Sequence, residues 1–218
     1  MAVYKENGKY SGKVGSVILC NWKGIDYIRS LPEKVNRQPT PKEKSNRERF
    51  RLGTRLMQGL SPVLRIGFRS APTKGTPLNA ALSDIMKNAV MRPPDKIGID
   101  YKRLRIAAGI LQGPQNIAVK QLDNSLIFTW DDNSYLGDAS PNDWAMLVAL
   151  AENGRYLMTN DQYTRKECLG KLQIRGSNKN IEKWHCYIAF LGINKEDVST
   201  SNYCGTVRCF FSQTNNNL

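Results

Sequence analysis

The chain has 218 residues, 40% hydrophobic and 23% charged, enough for one large domain or two small ones with a real core. Its charge is lopsided. Residues 1–105 hold 22 basic and 8 acidic groups, a net +14, whereas residues 106–218 hold 10 basic and 11 acidic groups, a net −1. Such a field speaks of partners rather than of fold, and points to a polyanion or an acidic protein surface. No run approaches the ~18 apolar residues a membrane span requires, so no membrane partner is expected. The N-terminus lacks the apolar stretch of a secretory signal. The expected place is the cytoplasm, alone or within an assembled particle. Five cysteines (Cys20, Cys168, Cys186, Cys204 and Cys209) are an odd number and argue against a disulfide framework.

In chain order, Lys13–Cys20 and Ile25–Arg29 read as the two arms of a β-hairpin turning near Lys23-Gly24. Gly12 and Gly15 mark a bend or a close approach of another chain. A linker follows over 32–39. Thr40-Pro41-Lys42-Glu43 is a capping box with Pro at the first helical position, predicting a helix to about Gly59. Its apolar stripe is Phe50, Gly53, Leu56, Met57 and Leu60. Ser61-Pro62 predicts a short helix over 62–69. Thr76-Pro77 predicts another, with the stripe Leu78, Leu82, Ile85, Met86 and Ala89.

From Ile99 the pattern changes to short strand-like runs over 101–108, 116–122, 125–130, 144–150, 155–159, 168–174, 184–191 and 203–211. Turn-formers separate them, as in a β-sandwich. Alternation puts Trp184, Cys186, Ile188 and Phe190 on one face, and Tyr203, Gly205, Val207, Cys209 and Phe211 on another. The expected fold is α+β: an N-terminal β-hairpin plus two or three helices, then a fibronectin-III/Ig-like antiparallel β-sandwich. The expected division is a basic module over 1–97, the sandwich over 98–212 and a flexible tail over 213–218.

Candidate chemistry is thin. Alternation turns His185, the only histidine, towards solvent, with no nucleophile motif near it. Cys204-x4-Cys209 with His185-Cys186 fits no common zinc spacing. Asp131, Asp132, Asp138 and Asp143 flank a turn, where Asp serves the backbone, and lack the EF-hand form. Gly8 to Lys13 fails as a phosphate loop, because Val14 stands where Ser or Thr would bind magnesium. No catalytic residue, metal or cofactor is therefore expected.

The basic helix is the serious candidate. Arg47, Arg51 and Arg55 recur every four residues, one helical face, with Lys42 and Lys44 on the same helix and Arg65, Arg69 and Lys74 following in sequence. Lys87 could join them. Arg grips phosphate in a bidentate way, and no base-reading motif is present, so contact would be to backbone phosphates and tolerant of sequence. Glu43 and Glu48 can pair with part of this face but are too few to neutralise it.

Beyond composition, Ser11-Gly-Lys-Val-Gly-Ser-Val17, Trp22 to Pro32, Gln38-Pro-Thr-Pro41 and Arg49-Phe50 resemble an uncharacterised family common in Bacteroidota. In the second half, Leu126 to Ser134, Asn142 to Val148 and Ser201 to Gly205 resemble it too. The resemblance covers nearly the whole chain and implies a sandwich-like second half, but no activity. Similar openings occur in proteins of phage and mobile-element origin. The chain departs from the family at Pro41-Lys42-Glu43-Lys44, where relatives tend to carry Ala and Gln. The expected role is a non-enzymatic, self-assembling structural protein, phage-like in character, whose basic half contacts nucleic acid or another polyanion, or an acidic protein surface. The rival is a cell-surface or adhesion-type recognition module acting through the sandwich.

Overall fold

Strand-forming residues at the N-terminus build more than a hairpin. The structure, a computed structural model, describes residues 2–5, 9–22, 24–33, 37–71, 75–92, 96–174 and 182–209. Strands β1 (Ala2–Lys5), β2 (Lys9–Val14), β3 (Val17–Trp22) and β4 (Ile25–Ser30) form an antiparallel meander in sequence order. The expected first arm is cut by a turn at Gly15, whose φ of +56° suits glycine. Val14 consequently pairs with Val17 across that turn. Contacts divide the chain between Thr40 and Pro41.

The second unit is mixed α+β. Helix α1 (Pro41–Gly59) ends where expected. Helix α2 (Ser61–Gly67) stops two residues short of the expected end. Helix α3 (Pro77–Asp84) is capped by Thr76, whose Oγ1 accepts from Asn79 N at 3.3 Å. It runs on as a π-helical turn over Ile85–Ala89. Strands β5 (Ala118–Leu122), β6 (Ser125–Thr129) and β9 (Leu169–Gln173) form one antiparallel sheet in the order β5-β6-β9. Strands β7 (Trp144–Ala151), β8 (Tyr156–Thr159), β10 (Glu182–Leu191) and β11 (Asn202–Cys209) form the other, in the order β11-β10-β7-β8.

The two sheets bury one core between them: Leu126 and Phe128 of β6 and Leu172 of β9 meet Leu147 of β7 and Trp184, Ile188 and Phe190 of β10. A second core covers the outer face of the four-stranded sheet. There Met146, Val148 and Leu150 of β7 and Tyr187, Ala189 and Leu191 of β10 meet Leu60, Leu64 and Phe68, and Ile85 of the π-helical turn. β7 and β10 are therefore buried on both faces, as their near-continuous apolar sequences require.

Several expectations change. Residues 101–108 are not a strand. Leu104, Ile106 and Ala107 are buried, but their stretch bonds outside any ladder: Ile106 N and Ala107 N donate to Ser201 Oγ at 2.9 and 3.2 Å, and Ala108 N to Gly67 O at 2.9 Å. Gly67 permits that approach, since a Cβ there would lie 2.0 Å from Ile106 O. Phe50 leaves the core stripe and is 55% exposed. Tyr203 and Val207 lie on opposite faces of β11, because the register shifts between Cys186 and Tyr187 and a bulge inverts the alternation. Phe211, the tail expected over 213–218 and the turn-formers Gly176-Ser177-Asn178 between the strand-like runs 168–174 and 184–191 lie outside the described residues.

Candidate polyanion interface

α1 is fixed from one side only. Gly53 is buried, and a Cβ there would come within 2.7 Å of Met86 Sδ, so the helix lies close to the π-helical turn and a larger residue would have to displace the Met86 side chain. Leu56, Met57 and Leu60 complete the anchored side. At 100° per residue, Lys44, Arg47, Arg51 and Arg55 fall on the opposite side, and all four are exposed. Lys42 is exposed too, but it lies on the azimuth of Gly53 and Leu60, half a turn from the others, at the helix start.

Arg65 is exposed on α2, and Arg69 is exposed just beyond it. Arg69 is already engaged: its Nη1 donates to Lys195 O at 2.7 Å, across to the loop between β10 and β11. Glu48 lies on the same side of the helix but forms no ion pair with Arg51 or Lys44. The structure thus brings together Lys44, Arg47, Arg51 and Arg55, sets Lys42 apart and ties Arg69 down. Lys74 lies outside the described residues.

Arg55 also lines a cleft of about 310 Å³ between the C-terminal half of α1 and the β7–β8 turn, with Leu56, Tyr101, Glu152 and Asn153. Beside it stands the residue for which the solvent-facing expectation fails. His185 is 4% exposed, because Tyr101 from the loop before β5 covers its ring and Tyr203 and Thr206 of β11 flank it. Its ring stacks on Tyr101 at 3.9 Å, and its Nδ1 lies 3.1 Å from Tyr203 Oη and 3.2 Å from Thr206 Oγ1. Its Nε2 is 3.6 Å from Glu152 Oε1, beyond hydrogen-bond reach. Burial lowers the His185 pKa below its usual value, and Lys183 adds to this. Glu152 is held below the usual carboxylate range by the hydrogen bond from Lys183 Nζ at 2.7 Å. A neutral ring clamped between tyrosines is a packing element with a polar edge.

The acidic cluster is likewise structural. Asp143 Oδ2 accepts from Arg165 Nε at 3.2 Å and Nη2 at 3.0 Å, and Arg165 is fully buried. Asn133 Oδ1 and Gln112 O take further guanidinium protons at 2.6 and 2.9 Å, and the Phe190 ring lies 3.9 Å from the guanidinium carbon. Asp132 accepts from Ser134, which lowers its pKa, and Asp138 accepts from Gln112 N at 2.9 Å. Among the described residues, no group of three or more His, Cys, Asp or Glu side chains is placed to hold a metal. All five cysteines are free, and burial pushes the thiols of Cys204 and Cys209 up to about 12 and about 11.

Sequence reading missed Arg165. The available signal was Thr164-Arg165-Lys166-Glu167, a capping box around a 3₁₀ turn that fixes the backbone on both sides of the arginine.

An α+β chain of this layout, matched over residues 8–205 by the model of the family of unknown function DUF6266, belongs to that family. No curated protein matches it.

Proposed function

We propose that this is a non-catalytic assembly protein whose α1 face contacts nucleic acid or another polyanion. The observation that carries the reading is the set Lys44, Arg47, Arg51 and Arg55: one azimuth, all exposed, without ion pairs among the described residues, on a helix anchored by its other side. Four such cations along about three helical turns match the spacing of phosphates rather than the shape of one small ligand. Arg65, exposed on α2, adds charge beyond the end of α1, while Lys42 stands off this face. An acidic protein surface is the other partner of the same chemistry. The phage-like character of the opening motifs accords with such a role in a particle held in the cytoplasm.

The sandwich is proposed to be of the fibronectin-III kind. Lettering β5 to β11 as A, B, C, C′, E, F and G makes the sheets A-B-E and G-F-C-C′. This also bears on the rival reading, a recognition module. The outer face of the G-F-C-C′ sheet is covered by helices, so recognition would fall to the loops, where Tyr135 and Leu136 between β6 and β7 are exposed on a base tied to Arg165.

The test is the salt dependence of binding to a mixed-sequence DNA duplex. With about six phosphate contacts, affinity should fall on the order of 10³-fold between 50 and 200 mM salt. The Lys44→Gln/Arg47→Gln/Arg51→Gln/Arg55→Gln variant should bind more weakly with a shallower slope. Binding that ignores salt, or a variant that binds like the parent, sinks the polyanion reading.

A further inference from the structure

We propose that β4 pairs edge to edge with β4 of a second copy of this chain, about a two-fold axis through Ile28, joining the two N-terminal sheets into one. The inference rests on the assembly half of the reading above and names its interface.

β4 is the last strand of its sheet, and every one of its residues is exposed. It carries neither proline nor lysine, the residues that usually blunt an edge, and Ile25 and Ile28 are 65% and 67% exposed. The direction of its backbone groups follows from one bond. Leu31 N donates to Ser16 O at 2.8 Å, just beyond the Val17–Ser30 pair of the ladder. Leu31, Arg29, Tyr27 and Ile25 therefore turn their N–H and C=O groups towards β3, and Ile28 and Ser30 turn theirs outward.

Symmetry restricts the register. A two-fold axis that joins two antiparallel edges stands perpendicular to the sheet, so each face continues into the same face of the copy. Only residues an even number apart can then stand opposite each other. Two registers keep most of β4 in the ladder. Centred on Tyr27, each Arg29 would face Ile25 of the copy and each Asp26 would face Ile28, so both charges oppose aliphatic chains. Centred on Ile28, Tyr27 faces Arg29, Asp26 faces Ser30, Ile25 faces Leu31, and Ile28 faces itself. Every pair then matches in kind: cation on aromatic, carboxylate on hydroxyl, aliphatic on aliphatic. The strand is self-complementary in one register, and that complementarity selects a second copy over an unrelated strand. Pairing would also merge the apolar faces formed by Ile18, Cys20, Trp22, Ile25 and Tyr27 of each chain.

Sedimentation equilibrium on the full chain, freed of nucleic acid and in 0.5 M NaCl, over a concentration series tests this. The parent should approach twice the chain mass. Ile28→Pro should be monomeric with an unchanged far-ultraviolet spectrum, because the lost N–H points away from β3. Ile28→Lys, which keeps the backbone intact, should also be monomeric. Under mild oxidation, Ile28→Cys should cross-link between copies and Tyr27→Cys should not, since only facing residues lie within disulfide reach. A parent that stays monomeric throughout overturns both this pairing and the assembly reading. A dimer that survives both Ile28 variants overturns the pairing alone. Cross-linking through Tyr27→Cys in preference to Ile28→Cys overturns the register.

Discussion

Two four-stranded antiparallel sheets of this chain meet opposite fates. The sheet β11-β10-β7-β8 is covered on both faces, and its central strands β7 and β10 are almost wholly buried. In the sheet β1-β2-β3-β4, β4 is exposed along its length and β3 is at most half-buried. The sequences carry the difference. β7 reads Trp-Ala-Met-Leu-Val-Ala-Leu-Ala, with nothing that must reach water, whereas Asp26, Arg29 and Ser30 interrupt the apolar residues of β4. A strand without polar residues needs two covering layers. A strand that mixes exposed isoleucine and tyrosine with charges gains little from its own chain, beyond the ladder and cross-strand pairs such as Cys20 with Tyr27. The first sheet is a finished interior. The second keeps one strand exposed along its whole length.

The comparison can be broken most sharply beneath the buried sheet, at Arg165. Arg165→Met strands the Asp143 carboxylate, 3% exposed, without its countercharge. The variant should lose about 3–5 kcal/mol in urea unfolding. Arg165→Met/Asp143→Leu should recover much of that loss, because the cost lies in the orphaned charge. A single variant as stable as the parent would mean that Asp143 takes on a proton or water at little cost. A milder test uses one chemistry in both sheets. Val148→Ala removes two methyls from a side chain with no exposure and should cost about 2–3 kcal/mol. Val14→Ala acts on a side chain 48% exposed and should stay within about 0.5 kcal/mol. Equal effects would mean that the N-terminal sheet is covered in solution at the concentration used.

How much of this was legible follows the same division. Helix positions were readable from local chemistry, since Pro41, Ser61-Pro62 and Thr76-Pro77 act within a turn of themselves. Strands β5 to β11 were readable from the spacing of apolar runs. The layers were not. Alternation assumes one wet face, so His185 was expected in solvent and lies buried against Tyr101 instead. Phe50 fits the helical stripe, yet it stays exposed at the middle of α1, and the buried side of that helix begins only at Gly53. Charge groups the helices with the N-terminal strands, whereas contacts group them with the sandwich, because charge governs partners and apolar faces govern packing. The basic face could be named residue by residue, but only the fold separates Lys42 from its neighbours and occupies Arg69.

The smallest expected effect sets the two sheets apart by pH. The only histidine lies on the buried sheet, and residues 1–40 hold none. Around His185 stand Tyr101 from the preceding loop, Glu152 from the β7–β8 turn, Lys183 on β10, and Tyr203 and Thr206 on β11. Burial and Lys183 disfavour its charged form, Glu152 opposes them, and the net shift is downward from 6.5. Below that value the unfolded chain binds the proton more readily than the folded one. The contribution of His185 to stability is thus fully present above pH 6.5 and fades as pH falls towards the folded pKa. Unfolding free energy should slope downward as pH falls below 6.5, and His185→Gln should flatten that slope. The N-terminal strands, followed by amide exchange, should show no matching change. A slope that persists in His185→Gln would assign the titration to a carboxylate, and Glu152, already tied to Lys183, is the first to examine.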